Sequence, residues 1–125
     1  MTKRILNVRV AARVEDNLER AAIAMAALER GDEAPPYFGV GFQNASQMLA
    51  VFTPKRWELL ATLRQGGAMT VAELARRLGR NYKNVHGDVE KLIEWLAVEK
   101  DAQGLVTAPY SEIVVDVMMP DTVAA

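Results

Sequence analysis

Residues 70–96 have the sequence TVAELARRLGRNYKNVHGDVEKLIEWL, and this stretch decides the fold of the chain. Thr70 and Glu73 form an S/T-x-x-E capping box, which predicts the start of a short first helix. Gly79 predicts a tight turn, and Asn81 predicts the cap of a second helix. The apolar residues at helical spacing are Val71, Leu74, Ala75 and Leu78, then Val85, Val89, Leu92, Ile93 and Leu96. Two such helices joined by a glycine turn are typical of a helix-turn-helix.

The segments on either side extend this motif. Thr53 followed by Pro54 predicts the start of a preceding helix, which runs to Arg64. After Leu96, the turn Asp101–Gly104 lies between two short extended segments, 98–100 and 105–108, and predicts a β-hairpin. Three helices followed by a hairpin predict an α+β winged helix-turn-helix, with the hairpin as the wing. A last strand at 113–118 either extends the wing sheet or pairs with strands near the N-terminus.

The N-terminal part predicts a strand–helix–strand–helix extension that serves dimerisation. Residues 4–10 and 37–42 alternate as strands do, although an extended loop is the alternative for 37–42 with its two glycines. Residues 15–30 predict a helix that ends at Gly31, and Asn44 predicts the cap of a short helix. The helix predicted at 15–30 has an alanine-rich apolar face: Leu18, Ala21, Ala22, Met25 and Leu28. Because so small a unit cannot hold a core alone, we expect this face to pack on a second subunit.

The chain divides into three predicted parts. Residues 1–52 form the N-terminal α/β extension, 53–118 form the winged helix-turn-helix, and 119–125 form a flexible tail.

Composition excludes several classes of protein. Of 125 residues, half are hydrophobic and a quarter are charged, which is typical of a folded protein. There is no cysteine and His86 is the single histidine, so the sequence predicts neither disulfides nor a metal site. No apolar run approaches ~18 residues, and the N-terminus lacks a signal-peptide pattern, so a cytoplasmic location is expected.

Catalytic motifs are not found. One histidine cannot build a nucleophile–base–acid constellation, and no phosphate-binding glycine motif follows a strand. Gly39-Val40-Gly41 lacks the third glycine and the helix that a phosphate cradle needs. We therefore expect no enzyme activity and no cofactor.

The charge is distributed unevenly. Residues 53–91 carry eight Lys and Arg against four Asp and Glu, whereas the rest carries seven against twelve, so a local charge of +4 lies within a net charge of −1. Phosphate attraction is local at physiological salt, so an acidic chain with one basic face can bind DNA. The alternative is a chance cluster on solvated helices.

The second helix of the motif supplies the candidate contacts. Lys83, Asn84 and Gly87 face away from the apolar stripe, and Lys or Asn side chains can pair with base edges. For Tyr82 and His86, partial packing at the edge of the stripe is favoured over base contact. The predicted DNA-binding residues are Thr70, Arg76, Arg77, Arg80, Asn81, Tyr82, Lys83, Asn84, His86, Gly87 and Lys91. Glu90, Glu94 and the acidic wing are expected to face away from DNA.

The segments LARRLGR (74–80), YKNVH (82–86) and DV (88–89) resemble a family of MarR-like winged-helix regulators whose members are similar to antitoxins encoded beside TumE-type toxins. Residues 4–10, 53–60 and 106–117 are also similar to that family, which often carries a charged residue where this chain has Gly87. The resemblance implies a DNA-binding homodimer and a possible toxin partner.

Two functions follow as hypotheses. The first is a sequence-specific DNA-binding transcriptional regulator, an autorepressing antitoxin in a toxin–antitoxin pair. The alternative is a winged-helix module for protein interaction without specific DNA binding, because Lys100 is the single basic residue of the wing and the rest of the chain is acidic.

Overall fold

A computed structural model describes residues 4–12, 14–31 and 37–119. Within these ranges the chain is a mixed α+β fold, as predicted. In chain order the elements are β1 Ile5–Val10, α1 Val14–Glu29, β2 Phe38–Phe42, α2 Ala45–Val51, α3 Pro54–Gly66, α4 Val71–Leu78, α5 Tyr82–Glu94, β3 Glu99–Lys100, β4 Val106–Thr107 and β5 Glu112–Val117. The predicted tail lies outside the described residues except for Met119. No helix in the described ranges has the length and apolar character needed to cross a membrane.

Side-chain caps fix the starts of four helices, as the sequence predicts. The capping residues are Asn44, Thr53, Thr70 and Asn81, whose side-chain oxygens accept hydrogen bonds from backbone N–H groups two or three residues later. In α4 the reciprocal half of the capping box is replaced, because the Glu73 carboxylate binds two arginines instead.

The last strand pairs with the N-terminal strand, which answers the question that the sequence left open. The larger sheet has the order β2-β1-β5 and is parallel throughout, with Val8 opposite Val40 on one side and Val115 on the other. Residues 38–42 are therefore a strand and not a loop. The smaller sheet is the predicted hairpin, β3 antiparallel to β4, and Met69 exchanges two backbone hydrogen bonds with Val106 of β4.

One hydrophobic core joins the parallel sheet to the helices. Leu6, Val8 and Val10 of β1 are buried in the same cluster as the inner residues of α3, α4 and α5. Phe42 at the end of β2 stacks on Trp95 after α5, with ring centroids 4.3 Å apart. The sheet thus supports the helices from one face, and the division of the chain at residue 52 remains a prediction.

Helix α1 contributes little to this core. Its large apolar side chains are more than 60% exposed: Leu18, Ile23, Met25 and Leu28. Three of these belong to the face predicted to pack on a second subunit, and that packing stays a prediction.

Candidate nucleic-acid interface

The turn between α4 and α5 holds the two helices in a fixed relation. Gly79 has a left-handed backbone with φ 63°, donates its N–H to Arg76 O, and is followed by a bond from Arg80 N to Ala75 O. This pair of bonds is a Schellman motif, which favours glycine because a side chain strains the left-handed conformation. The inner stripes are fully buried at Leu74, Val85, Val89 and Leu92.

The outer face of the first half of α5 is open. Lys83, Asn84 and Gly87 are exposed, and a Cβ added to Gly87 would meet no atom within 4 Å. The side chains of Lys83 and Asn84 make no hydrogen bond or ion pair with any residue that the structure describes. A cation and an amide are therefore available here to an external partner.

Two rings lie beside this open face. Tyr82 is 54% exposed, and its ring centroid lies 5.9 Å from that of His86. His86 Nε2 lies 3.7 Å from the Glu90 carboxylate on the next turn. Each ring leaves about half of its surface to solvent. The side chains of Thr70 and Asn81, in contrast, are engaged as helix caps.

Arg76 and Arg77 share one carboxylate at the surface. Arg77 Nε donates to Glu73 Oε1 at 2.9 Å, and Arg76 donates to Glu73 Oε2 through Nε at 3.0 Å and through Nη2. The bonds from Arg76 and then Arg77 hold the pKa of Glu73 below its ordinary value, and the bond to Glu73 raises the pKa of Arg76. The Arg76 side chain is 77% exposed, so both arginines remain accessible from outside.

Arg80 is held differently, although the sequence groups it with Arg76 and Arg77. Arg80 Nη2 donates to Asp88 Oδ2 at 2.7 Å, and Arg56 Nε donates to Asp88 Oδ1 at 3.0 Å. All three side chains are at most 20% exposed. Arg56 Nη1 also donates to Ala50 O and Val51 O at the end of α2. This cluster of Arg56, Arg80 and Asp88, called here the arginine–aspartate cluster, joins α2, α3, the turn and α5.

Sequence reasoning missed Arg56 and Asp88 as residues that build the site. The available signal was the position of Asp88, which lies one helical turn after Val85 and directly before Val89 in the buried stripe. A carboxylate at the edge of an apolar stripe needs a buried partner.

Two further ion pairs lie away from the turn. Lys91 Nζ lies 2.9 Å from the Glu94 carboxylate at the far end of α5. In the hairpin, Glu99 binds Arg4 Nη2 at 2.8 Å, and this bond raises the pKa of Arg4. The Arg4 guanidinium lies 4.4 Å from the ring centroid of Phe38, so the hairpin is tied to the parallel sheet.

No group of His, Asp and Glu side chains within the described ranges is arranged to hold a metal ion. A family model described as HVO_A0114 matches residues 51–115, the segment that contains α3, α4, α5 and the hairpin. The description of that family names no activity. No curated protein and no solved structure matches the chain.

Proposed function

The chain belongs to the HVO_A0114 family, and from the geometry of the matched segment we propose that it is a DNA-binding transcriptional regulator. In this proposal α3, α4 and α5 with the β3–β4 hairpin form a winged helix-turn-helix, and α5 enters the major groove. The observation that carries the proposal is the open first half of α5. There Lys83 and Asn84 have no protein partner within the described residues, while Val85 and Val89 are fully buried behind them.

The contacts divide by chemistry. Lys83 and Asn84 contact base edges, because an ammonium suits guanine and an amide suits adenine. Arg76 and Arg77 contact phosphate, and Gly87 lets the backbone of α5 lie close to the DNA. Tyr82 and His86 flank the groove with exposed rings. Arg80, which binds Asp88, acts as a positioning residue that keeps the turn and α5 together.

Regulation in this proposal involves two copies of the chain. A homodimer places two α5 helices on half-sites about one helical turn of DNA apart. The exposed apolar residues of α1 give such a dimer a surface to bury. Autorepression as an antitoxin, with a toxin partner, rests on the family resemblance alone, and a small toxin-like gene beside this one would support it.

Substitution of the base-contacting residues tests the proposal. The double variant Lys83→Ala/Asn84→Ala is compared with the wild type on a duplex from upstream of the gene and on a scrambled duplex, by fluorescence anisotropy. We expect the affinity for the upstream duplex to fall by about 10-fold or more, since each good base contact is worth about 1–3 kcal/mol. The affinity of the double variant for the upstream duplex should then equal its affinity for the scrambled duplex. Arg64→Ala, which removes an exposed cation in the last turn of α3, is the matched control. We expect this variant to retain the preference for the upstream duplex. Unaltered affinity and preference in the double variant exclude these two residues as the contact site.

A protein-interaction role is the second candidate. The observation that favours it is that at least six basic side chains among the described residues already pair with a carboxylate, which belongs to Glu73, Asp88, Glu94 or Glu99. The salt dependence separates the two functions, because DNA binding weakens steeply as salt rises. Absence of a shift with any duplex at low salt favours the protein-interaction role.

A further inference from the structure

Arg9 is a buried cation with no bound partner among the residues that the structure describes. It lies in the central strand β1, on the face of the parallel sheet opposite Val8 and Val10, and is 8% exposed. Its Nε and Nη1 atoms are shielded from solvent and have no hydrogen-bond partner within the described ranges. Asp116 lies opposite Arg9 in the β1–β5 register, yet the two form no ion pair in the described part of the chain.

Two other arginines provide the comparison. Arg4 and Arg80 each have one shielded nitrogen without a partner, but each binds a carboxylate through another nitrogen. Arg9 binds none within the described residues. Because a buried guanidinium is unfavourable unless an acceptor neutralises it, the position of Arg9 suits an anion supplied from outside the fold.

Open space adjoins Arg9. A cavity of 530 Å³ is lined by Arg9, Ala11, Ala12, Gly41, Phe42 and Gln43, at the carboxyl ends of β1 and β2. A second cavity of 220 Å³ shares Arg9, Ala12 and Gly41 with it and extends to Tyr37. The Tyr37 hydroxyl accepts a hydrogen bond from Arg20 of α1 at 3.2 Å.

The topology also favours this edge of the sheet. In open parallel sheets, ligands bind outside the carboxyl ends of the strands, where the strand order reverses. Here the chain leaves central β1 for β2 on one side and later reaches β5 on the other. Gly41, which lies opposite Arg9 in the β1–β2 register, carries no side chain over this face, whereas the Tyr37 ring lies over Gly39.

We propose that this edge binds a small organic carboxylate, with Arg9 donating to the carboxylate oxygens. Among the described residues of the two linings, Arg9 is the one cation, which suits a monoanion better than a doubly charged phosphate. Ala11, Ala12 and Phe42 offer apolar contacts to a short carbon chain. The site goes beyond the proposed DNA binding and does not depend on it.

Titration of the full chain with butyrate tests the site by two-dimensional ¹H–¹⁵N NMR. Butyramide serves as the uncharged analogue and inorganic phosphate as the competing anion, all at constant ionic strength. We expect butyrate to shift the amide signals of Ala11, Ala12 and Gly41 with saturation at millimolar concentration. We expect no saturating shift from butyramide or phosphate.

Two variants assign the effect to Arg9. Arg9→Met keeps the length and removes the charge, and we expect it to fold with no loss of Tm and to lose the butyrate response. Gly41→Val, whose Cβ meets only Arg9 O at 3.9 Å, fills the cavity and loses the response with Arg9 intact. Arg64→Met, remote from the site, keeps it.

The proposal is overturned by any of three results. These are a wild type that shows no saturating response to butyrate, an equal response to butyramide or phosphate, and an Arg9→Met variant that still responds. No DNA is present in the titration, so failure of this site leaves the proposed DNA binding untouched, and failure of DNA binding leaves this site untouched.

Discussion

Glu73 and Asp88 each bind two arginines, but they do so in different surroundings. Glu73 lies on the surface of α4, and its partners Arg76 and Arg77 keep about half or more of their side-chain surface in solvent. Asp88 lies between packed helices, and its partners Arg56 and Arg80 are at most 20% exposed. The same pairing chemistry therefore leaves two arginines accessible and turns two others inward.

The difference shows that the basic segment around the turn has two roles. Exposed ion pairs add little to stability because water already solvates both partners. A shielded ion pair adds little stability compared with apolar residues in the same place. Loss of one partner, however, leaves the other as a buried charge without a counter-charge. We therefore assign the arginine–aspartate cluster to the architecture of the turn, and the surface arginines with Lys83 to the proposed contact with DNA.

Removal of the shared shielded carboxylate has the largest expected effect. Asp88→Ala leaves Arg56 and Arg80 facing each other without a counter-charge, and we expect unfolding free energy to fall by about 3 kcal/mol. Urea unfolding followed by circular dichroism measures the change. Glu90→Ala, on the exposed side of the same helix, is the matched control and stays within about 0.5 kcal/mol of the wild type. Equal effects of the two substitutions contradict the structural role of Asp88.

Replacement of one arginine in each pair has a smaller expected effect. Arg80→Met leaves Asp88 with Arg56 alone, and we expect a loss of about 1.5 kcal/mol, as for a hydrogen bond to a charged group. Arg77→Met removes a surface partner of Glu73 and changes stability by less than about 0.5 kcal/mol. The same urea titration measures the free energy of unfolding of both variants. A larger loss of stability in Arg77→Met than in Arg80→Met contradicts the structural role of the arginine–aspartate cluster.

The pH dependence of Glu73 has the smallest expected effect. Since hydrogen bonds from Arg76 and Arg77 hold its pKa in the folded chain below the ordinary value of 4.5, its contribution to stability is present above that value. The contribution is lost as the pH falls through the lower pKa of the folded state. Tm measured from pH 7 to pH 2 for the wild type and Glu73→Gln should therefore differ at neutral pH and converge in acid. A difference that stays constant over this range contradicts the assignment.

Local signals in the sequence predicted the helices well. The caps at Thr53, Thr70 and Asn81 and the turn at Gly79 depend on residues within a few positions of each other, and all four are present. The pairing of β5 with β1 depends on residues more than a hundred positions apart, such as Ile5 and Glu112, so alternation alone left it open.

For the candidate site too, features set by neighbouring residues were predicted, and features set by distant residues were not. The exposure of Lys83, Asn84 and Gly87 follows from helical periodicity, because the buried stripe fixes which face is outward. The inward position of Arg80 does not, because it requires Asp88 on α5 and Arg56 on α3, which are distant in the sequence. The alternation of residues 4–10 did not predict the burial of Arg9, which lies between Gly41 of β2 and Asp116 of β5 in the sheet.

The salt dependence of DNA binding tests the division of the arginines most directly. The measurement compares wild type, Arg76→Ala and Arg80→Met on the upstream duplex by fluorescence anisotropy between 50 and 200 mM salt, the range in which phosphate contacts dominate the change. We expect the log–log slope to become shallower by about 0.9 in Arg76→Ala, which loses one phosphate contact, and to stay at the wild-type value in Arg80→Met. A wild-type slope in Arg76→Ala together with a shallower slope in Arg80→Met would contradict the account, as would failure of the wild type to bind any duplex at low salt.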